Sequence, residues 1–160
     1  MNECDNGCLI MVRAFLLGAS TYLLLKIPCQ MIENLTPTQA WELLQQNPDA
    51  VLVDVRSQME HAYVGHPLGA IHIPWKEAPS WEINADFVAD VKKLVSNPNT
   101  PVLLLCRSGQ RSLSAAQTLE AAGYKHLVNI VDGFEGPLDS KNHRGNLGGW
   151  RYSGLPWQQS

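Results

Sequence analysis

The sequence predicts an α/β domain built on a central, mostly parallel sheet with helices on both faces. Three observations carry that expectation. Short apolar runs recur, among them Val51-Leu52-Val53-Asp54-Val55 and Leu127-Val128-Asn129-Ile130-Val131, and continuous runs of this kind mark strands buried on both faces. Between them lie segments whose apolar residues keep the helical period of 3.6. Strands that alternate with helices pair in parallel, because each crossover lays its helix on a face of the sheet.

Taken in order, Thr36-Pro37-Thr38-Gln39 reads as a capping-box start with proline in the first helical turn. That helix runs through Ala40, Leu43 and Leu44 to about Gln46, and Asn47-Pro48-Asp49 stops it. The strand at 51–55 follows, and Ala70-Ile71-His72-Ile73 before Pro74 reads as a second strand. Asn84 is expected to cap a helix carrying Phe87, Val88, Val91, Leu94 and Val95 on one face. Pro101-Val102-Leu103-Leu104-Leu105 is a third strand and leads straight into Cys106. Ser112 to Ala122 is an alanine-rich helix closed by Gly123, and residues 127–131 form the fourth strand. Beyond Asp132-Gly133-Phe134 the chain turns glycine-rich, and residues 139–160 are expected to pack on the domain as a loop pinned by Trp150 and Trp157.

The 160 residues suit one domain with a proper core, here placed at 31–138. A net charge of −3 excludes a general basic field, so nucleic acid is not expected as a partner and any anion site must be local. Residues 1–30 stand apart. Leu9 to Ile27 is almost wholly apolar, and its 19 residues are just enough to span a bilayer. Glu3 and Asp5 sit where a signal peptide would carry positive charge. The segment is therefore an upstream extension of a protein beginning at Met31, or a membrane anchor; the first implies a cytoplasmic protein, the second a membrane-associated one.

Four cysteines are too few for a disulfide scaffold, and Cys4 and Cys8 have no second Cys/His pair at zinc-ligand spacing, so no metal is expected. Cys29 closes the extension, and Cys106 stands alone in the domain. It opens the segment Cys106-Arg107-Ser108-Gly109-Gln110-Arg111-Ser112, which joins a buried strand to a helix. Ligands bind at such junctions in open α/β sheets. Unpaired N–H groups and the dipole of the helix favour an anion, and Arg107 and Arg111 add charge. A cysteine at this lip is held toward its nucleophilic thiolate form. Gly109 lets the backbone curl so that successive amides point inward. Two arginines, two serines and a glycine do not belong in a core, which sets aside the reading of Cys106 as a merely buried residue.

Cys106-Arg107-Ser108-Gly109-Gln110-Arg111-Ser112 resembles the active-site loop of the rhodanese family, C-R-x-G-x-R-S. Val53-Asp54-Val55-Arg56 is similar to the family's D-V-R, and Gly65-His66-Pro67-Leu68-Gly69-Ala70-Ile71-His72-Ile73-Pro74 to its G-H-I-P-G-A-I-H-I-P, departing at Pro67 and Leu68. Asp132-Gly133-Phe134 resembles D-G-G, with phenylalanine for the second glycine. The likeness runs from about Met31 to Leu138.

The resemblance implies a rhodanese-type sulfurtransferase that needs no cofactor. Cys106 would take sulfur from thiosulfate or another persulfide donor and pass it to cyanide, a thiol or a protein partner. It also implies that the loop amides hold the persulfide and that Arg107 and Arg111 hold the donor's sulfonate. Asp54 and Arg56 are expected behind the loop, as supports or as an ordinary ion pair, and His66 and His72 as residues that hold turns. Fold relatives that act as phosphatases have a longer loop, C-x-x-x-x-x-R. Here only four residues separate Cys106 from Arg111, which favours sulfur.

Overall fold

The computed structural model describes the backbone of residues 7–16 and 19–28 and the whole of residues 32–159. The chain divides into two compact units, Met1–Met31 and Ile32–Ser160. In the first, β1 (Gly7–Leu16) and β2 (Ala19–Pro28) pair antiparallel, with Gly7 opposite Pro28 and Leu16 opposite Ala19. Residues 9–27, weighed from the sequence as a single span, are thus divided between two strands. No helix among the described residues is long and apolar enough to cross a membrane. Cys4, Cys29, the side chain of Cys8 and the start at Met31 lie outside the described residues.

The second unit holds the parallel sheet. Its strands are β3 (Ile32–Leu35), β4 (Val51–Asp54), β6 (Ile71–His72), β7 (Val102–Leu105) and β8 (Leu127–Ile130), in the spatial order β3-β8-β7-β4-β6. All four pairings are parallel. The connecting helices are α1 (Pro37–Gln46), α2 (Phe87–Leu94) and α3 (Gln110–Ala121).

Side-chain alternation along β7 shows why both faces must be covered. Val102 and Leu104 point into one apolar cluster with Phe87 and Val91 of α2 and Ala115, Ala116 and Leu119 of α3. Leu103 and Leu105 point into the other, with Ala40 of α1, Ile130, Phe134 and Trp150. Every residue of β7 is fully buried. At about 1.5–3 kcal/mol for each large apolar side chain, the central strands dominate the stability of the unit.

Two details differ from the expectation. The helix expected to start at Asn84 begins at Phe87, with Asp86 as its cap residue. Asn84 instead donates from its side-chain amide to Pro74 O and accepts the Asp86 N–H on Oδ1, which closes a turn ahead of the helix. The tail is also more than loop. Its Trp157–Gln158 forms β9, antiparallel to β5 (His66–Pro67). Trp150 is fully buried, donates from Nε1 to Pro156 O, and meets Trp41 of α1 edge-on at 5.9 Å.

Candidate active site

Strand β7 ends at Leu105, α3 begins at Gln110, and the residues between them curl around one sulfur atom. The Gly109 N–H donates to Cys106 Sγ over 3.1 Å, and the Ser112 hydroxyl approaches the same sulfur at 3.3 Å. Gly109 has φ +91, a conformation that admits glycine cheaply and turns its amide inward. Both donors point at the one sulfur. Cys106 itself is only 1% exposed.

Behind Ser112 a polar chain runs from the interior out to the sheet edge. Its Oγ is 2.7 Å from Asn129 Oδ1 on β8, and Asn129 Nδ2 donates to Asn34 Oδ1 on β3 over 2.9 Å. Ser112 has one hydroxyl proton and two acceptors, so it serves the sulfur or the amide at any moment.

The two loop arginines differ in their surroundings. Arg107 is exposed and has no carboxylate partner among the described residues. Arg111 is held by Glu60, which accepts from Nη2 at 2.6 Å and from Nη1 at 2.8 Å. Burial alone would raise the Glu60 pKa, but Arg111, with the N–H and hydroxyl of Ser57, outweighs it and brings the value down to about 2. Burial likewise works against the Arg111 cation, and Glu60 and then Cys106 more than compensate, so its pKa rises. Arg111 is thus half of an ion pair rather than a free cation. Glu60 went unread in the sequence, although Ser57-Gln58-Met59-Glu60 has capping-box spacing. Ser57 Oγ accepts the Glu60 N–H, and the Ser57 N–H donates to Glu60 Oε2.

Asp54 and Arg56 are both fully buried. Arg56 donates to the Asp54 carboxylate from Nε (2.9 Å) and Nη2 (2.6 Å), and also to Gly65 O (2.7 Å). Its guanidinium carbon lies 4.2 Å above the centre of the Phe134 ring, while Nη1 has no partner. The pair lines no part of the cavity described below. It ties β4 to the Gly65 turn and to the ring after Gly133. His72 Nε2 bonds Arg56 O at 2.8 Å, and His66 Nδ1 bonds His61 O at 3.0 Å, so both hold backbone carbonyls. His61 stacks between them, 3.8 Å from His66 and 4.2 Å from His72 between ring centres.

A cavity of about 630 Å³ opens over the loop. Cys106, Arg107, Ser108, Gln110, Arg111 and Glu60 line its floor and wall, and the rim adds Trp81 and Arg144. Neither rim residue was singled out from the sequence. Trp81 stands in a loop 25 residues before the cysteine, and Arg144 belongs to the tail read there as packing. Among the described residues no cluster of three metal-ligating side chains exists.

The family description Rhodanese-like domain matches residues 36–137. This chain belongs to the rhodanese-like domain family. It is 42% identical to Rv0390 from M. tuberculosis, whose crystal structure superposes with a TM-score of 0.71 over 80% of this chain and 98% of that one. An uncharacterized protein of Rickettsia conorii is 37% identical over 79% of this chain and 98% of its own. The thiosulfate sulfurtransferase GlpE of Haemophilus influenzae is 36% identical over 65% of this chain and 86% of its own. The matched span of this rhodanese-like protein contains both Cys106 and the Asp54–Arg56 pair, while Arg144 lies beyond it.

Proposed function

We propose that this rhodanese-like protein is a sulfurtransferase that carries sulfane sulfur as a persulfide on Cys106. One observation carries the reading most: a buried sulfur accepts from the Gly109 amide and the Ser112 hydroxyl at the floor of an arginine-lined cavity. In the first step the Cys106 thiolate attacks the outer sulfur of a donor such as thiosulfate. An S–S bond forms on Cys106, the donor's own S–S bond breaks, and sulfite leaves with the electron pair. In the second, a thiol or cyanide attacks that outer sulfur and Cys106 departs as thiolate. No net oxidant is required.

Covalent catalysis divides one transfer into two easier ones. The amides and hydroxyl around the loop hold negative charge on sulfur in both steps. Arg107 meets the donor's sulfonate, and Arg111, paired with Glu60, fixes the loop and adds its field. Asp54 and Arg56 act from behind. Residues 31–138 with the packed tail form the working unit in the cytoplasm, and residues 1–30 are an extension it does not need. The similarity to the Haemophilus sulfurtransferase supports the substrate class.

Intact-mass spectrometry after incubation with thiosulfate tests the reading. The protein should gain one sulfur and lose it on addition of cyanide, whereas Cys106→Ser should gain none. A Cys106→Ser protein that still turned over thiosulfate and cyanide would overturn the assignment.

A further inference from the structure

The cavity is larger than an inorganic donor requires. Its volume of about 630 Å³ falls among pockets that enclose whole organic ligands, roughly 300–1,000 Å³. Thiosulfate, an ion of sulfate size, would leave most of that space to water. The rim supplies what an organic donor would use. Trp81 is 48% exposed and lines the cavity, and its indole, a broad apolar surface, has no partner ring among the described residues. Arg144 is half-buried, and a hydrogen bond from Nη1 to Gly136 O steadies its guanidinium there.

The tail that brings Arg144 is laced to the catalytic loop by backbone hydrogen bonds. The Phe134 N–H donates to Cys106 O at 2.8 Å and the Glu135 N–H to Arg107 O at 3.0 Å. The Gly145 N–H then donates to Glu135 O at 2.7 Å. Arg144 is therefore positioned relative to Cys106 through rigid backbone. Neither Arg107 nor Arg144 has a carboxylate partner among the described residues, whereas Arg111 is neutralised by Glu60. Two unspent cations and one indole around a nucleophilic sulfur form a site with defined chemistry.

We infer that Arg144 and Trp81 form an outer subsite for the organic part of a small persulfide or thiol bearing a carboxylate, the carboxylate meeting Arg144 and the carbon skeleton lying on Trp81. This rests on the sulfur-transfer reading for the identity of the reacting atom. Arg144 is a specificity-determining residue and does not touch the transferred sulfur. With an organic persulfide, the Cys106 thiolate attacks the outer sulfur. The new S–S bond forms on Cys106, the donor's S–S bond breaks, and the organic thiolate leaves with its electron pair and takes a proton from water. The reverse step returns sulfur to such a thiolate as acceptor.

Calorimetric titration of the full chain with S-methylglutathione separates binding from chemistry, because that thioether carries two carboxylates and cannot transfer sulfur. Arg144→Ala should weaken its binding at least tenfold, and Arg144→Lys should recover part of the loss. The diethyl ester of the thioether should bind weakly to both proteins, a result that needs no variant. In turnover, the kcat/KM ratio of glutathione persulfide to thiosulfate should fall about tenfold in Arg144→Ala. Absent binding, equal binding to wild type and Arg144→Ala, or equal affinity for acid and ester would overturn the subsite. Intact binding without sulfur gain on Cys106 from any donor would overturn the sulfurtransferase reading and leave the subsite standing.

Discussion

Glu60 and Arg111 meet through two hydrogen bonds of 2.6 and 2.8 Å, although 51 residues separate them in the chain. The contact joins a π-helical turn, Glu60–Val64, to the first turn of the helix that follows the Cys106 loop. It neutralises the arginine nearest the loop's end, so the cavity's open positive charge comes from Arg107 and Arg144.

Replacing Glu60 tests this brace. The side chains of Arg111 and Glu60 are 20% and 17% exposed, between the surface and interior limits. Glu60→Gln should destabilise the protein by about 2 kcal/mol at neutral pH. The folded pKa of about 2 lies below the usual 4.5. The carboxylate's contribution is therefore complete above pH 4.5 and is lost as the pH falls toward 2. Urea denaturation at several pH values should show the gap between wild type and Glu60→Gln narrowing over that window.

The Ser112 hydroxyl lies 3.3 Å from Cys106 Sγ, the sulfur proposed to react. A hydrogen bond to a charged group contributes about 1.5–3 kcal/mol. Ser112→Ala should therefore slow persulfide formation ten- to hundredfold in stopped-flow measurements with thiosulfate. It also leaves Asn129 Oδ1 without its Ser112 partner, so stability should fall by about 1–3 kcal/mol in the same protein. A rate unchanged within twofold would show that the Gly109 amide alone holds the anion.

Gly133 is fixed by the loop it supports. Its φ is +57, and a Cβ there would lie 2.3 Å from Cys106 O and 2.7 Å from the carbonyl carbon of Arg107. Both obstacles are backbone and cannot swing aside. Gly133→Ala should cost upwards of about 3 kcal/mol, strain and clash together. Gly69, with φ +77 and open space around it, provides the control, where alanine should cost about 1–2 kcal/mol. Equal chemical-denaturation midpoints for the two variants would contradict the contact.

The histidine stack predicts a second pH window. Burial first, and then the charge of neighbouring His72, lower the His61 pKa from 6.5 to about 4, against an opposing pull from Asp54. Between those values the unfolded chain takes up a proton that the folded one refuses, so stability falls as the pH drops from 6.5 to 4. His61→Gln should flatten the profile across that interval, as measured by thermal unfolding in buffers of matched ionic strength.

The sheet, and the strand-to-helix loop that opens at Cys106, were legible because their signals are local. The buried central strands β4, β7 and β8 are apolar but for Asp54 and Asn129, so their runs stand out, and a cysteine at a strand end with arginines nearby attracts notice. β3 escaped notice because it is an edge strand, where Glu33 and Asn34 face water and break the apolar run. Glu60, Trp81 and Arg144 escaped for another reason. Each reaches the site by tertiary contact, and nothing in the neighbouring sequence states which loop folds over which strand end. The start of α2 shifted because Asn84 Oδ1 accepts the Asp86 N–H in a turn ahead of the helix.

The 1% exposure of Cys106 has a consequence for wear. Peroxides and disulfides attack thiolates in proportion to their accessibility. In the resting protein the native sulfur sits under its own loop, sheltered from such reagents. On the proposed mechanism, a second sulfur bonded to it would stand one bond farther out, toward the cavity. Oxidative damage would then fall first on the atom that arrived with the donor and leaves with the acceptor, and each turnover would discard the part most open to injury.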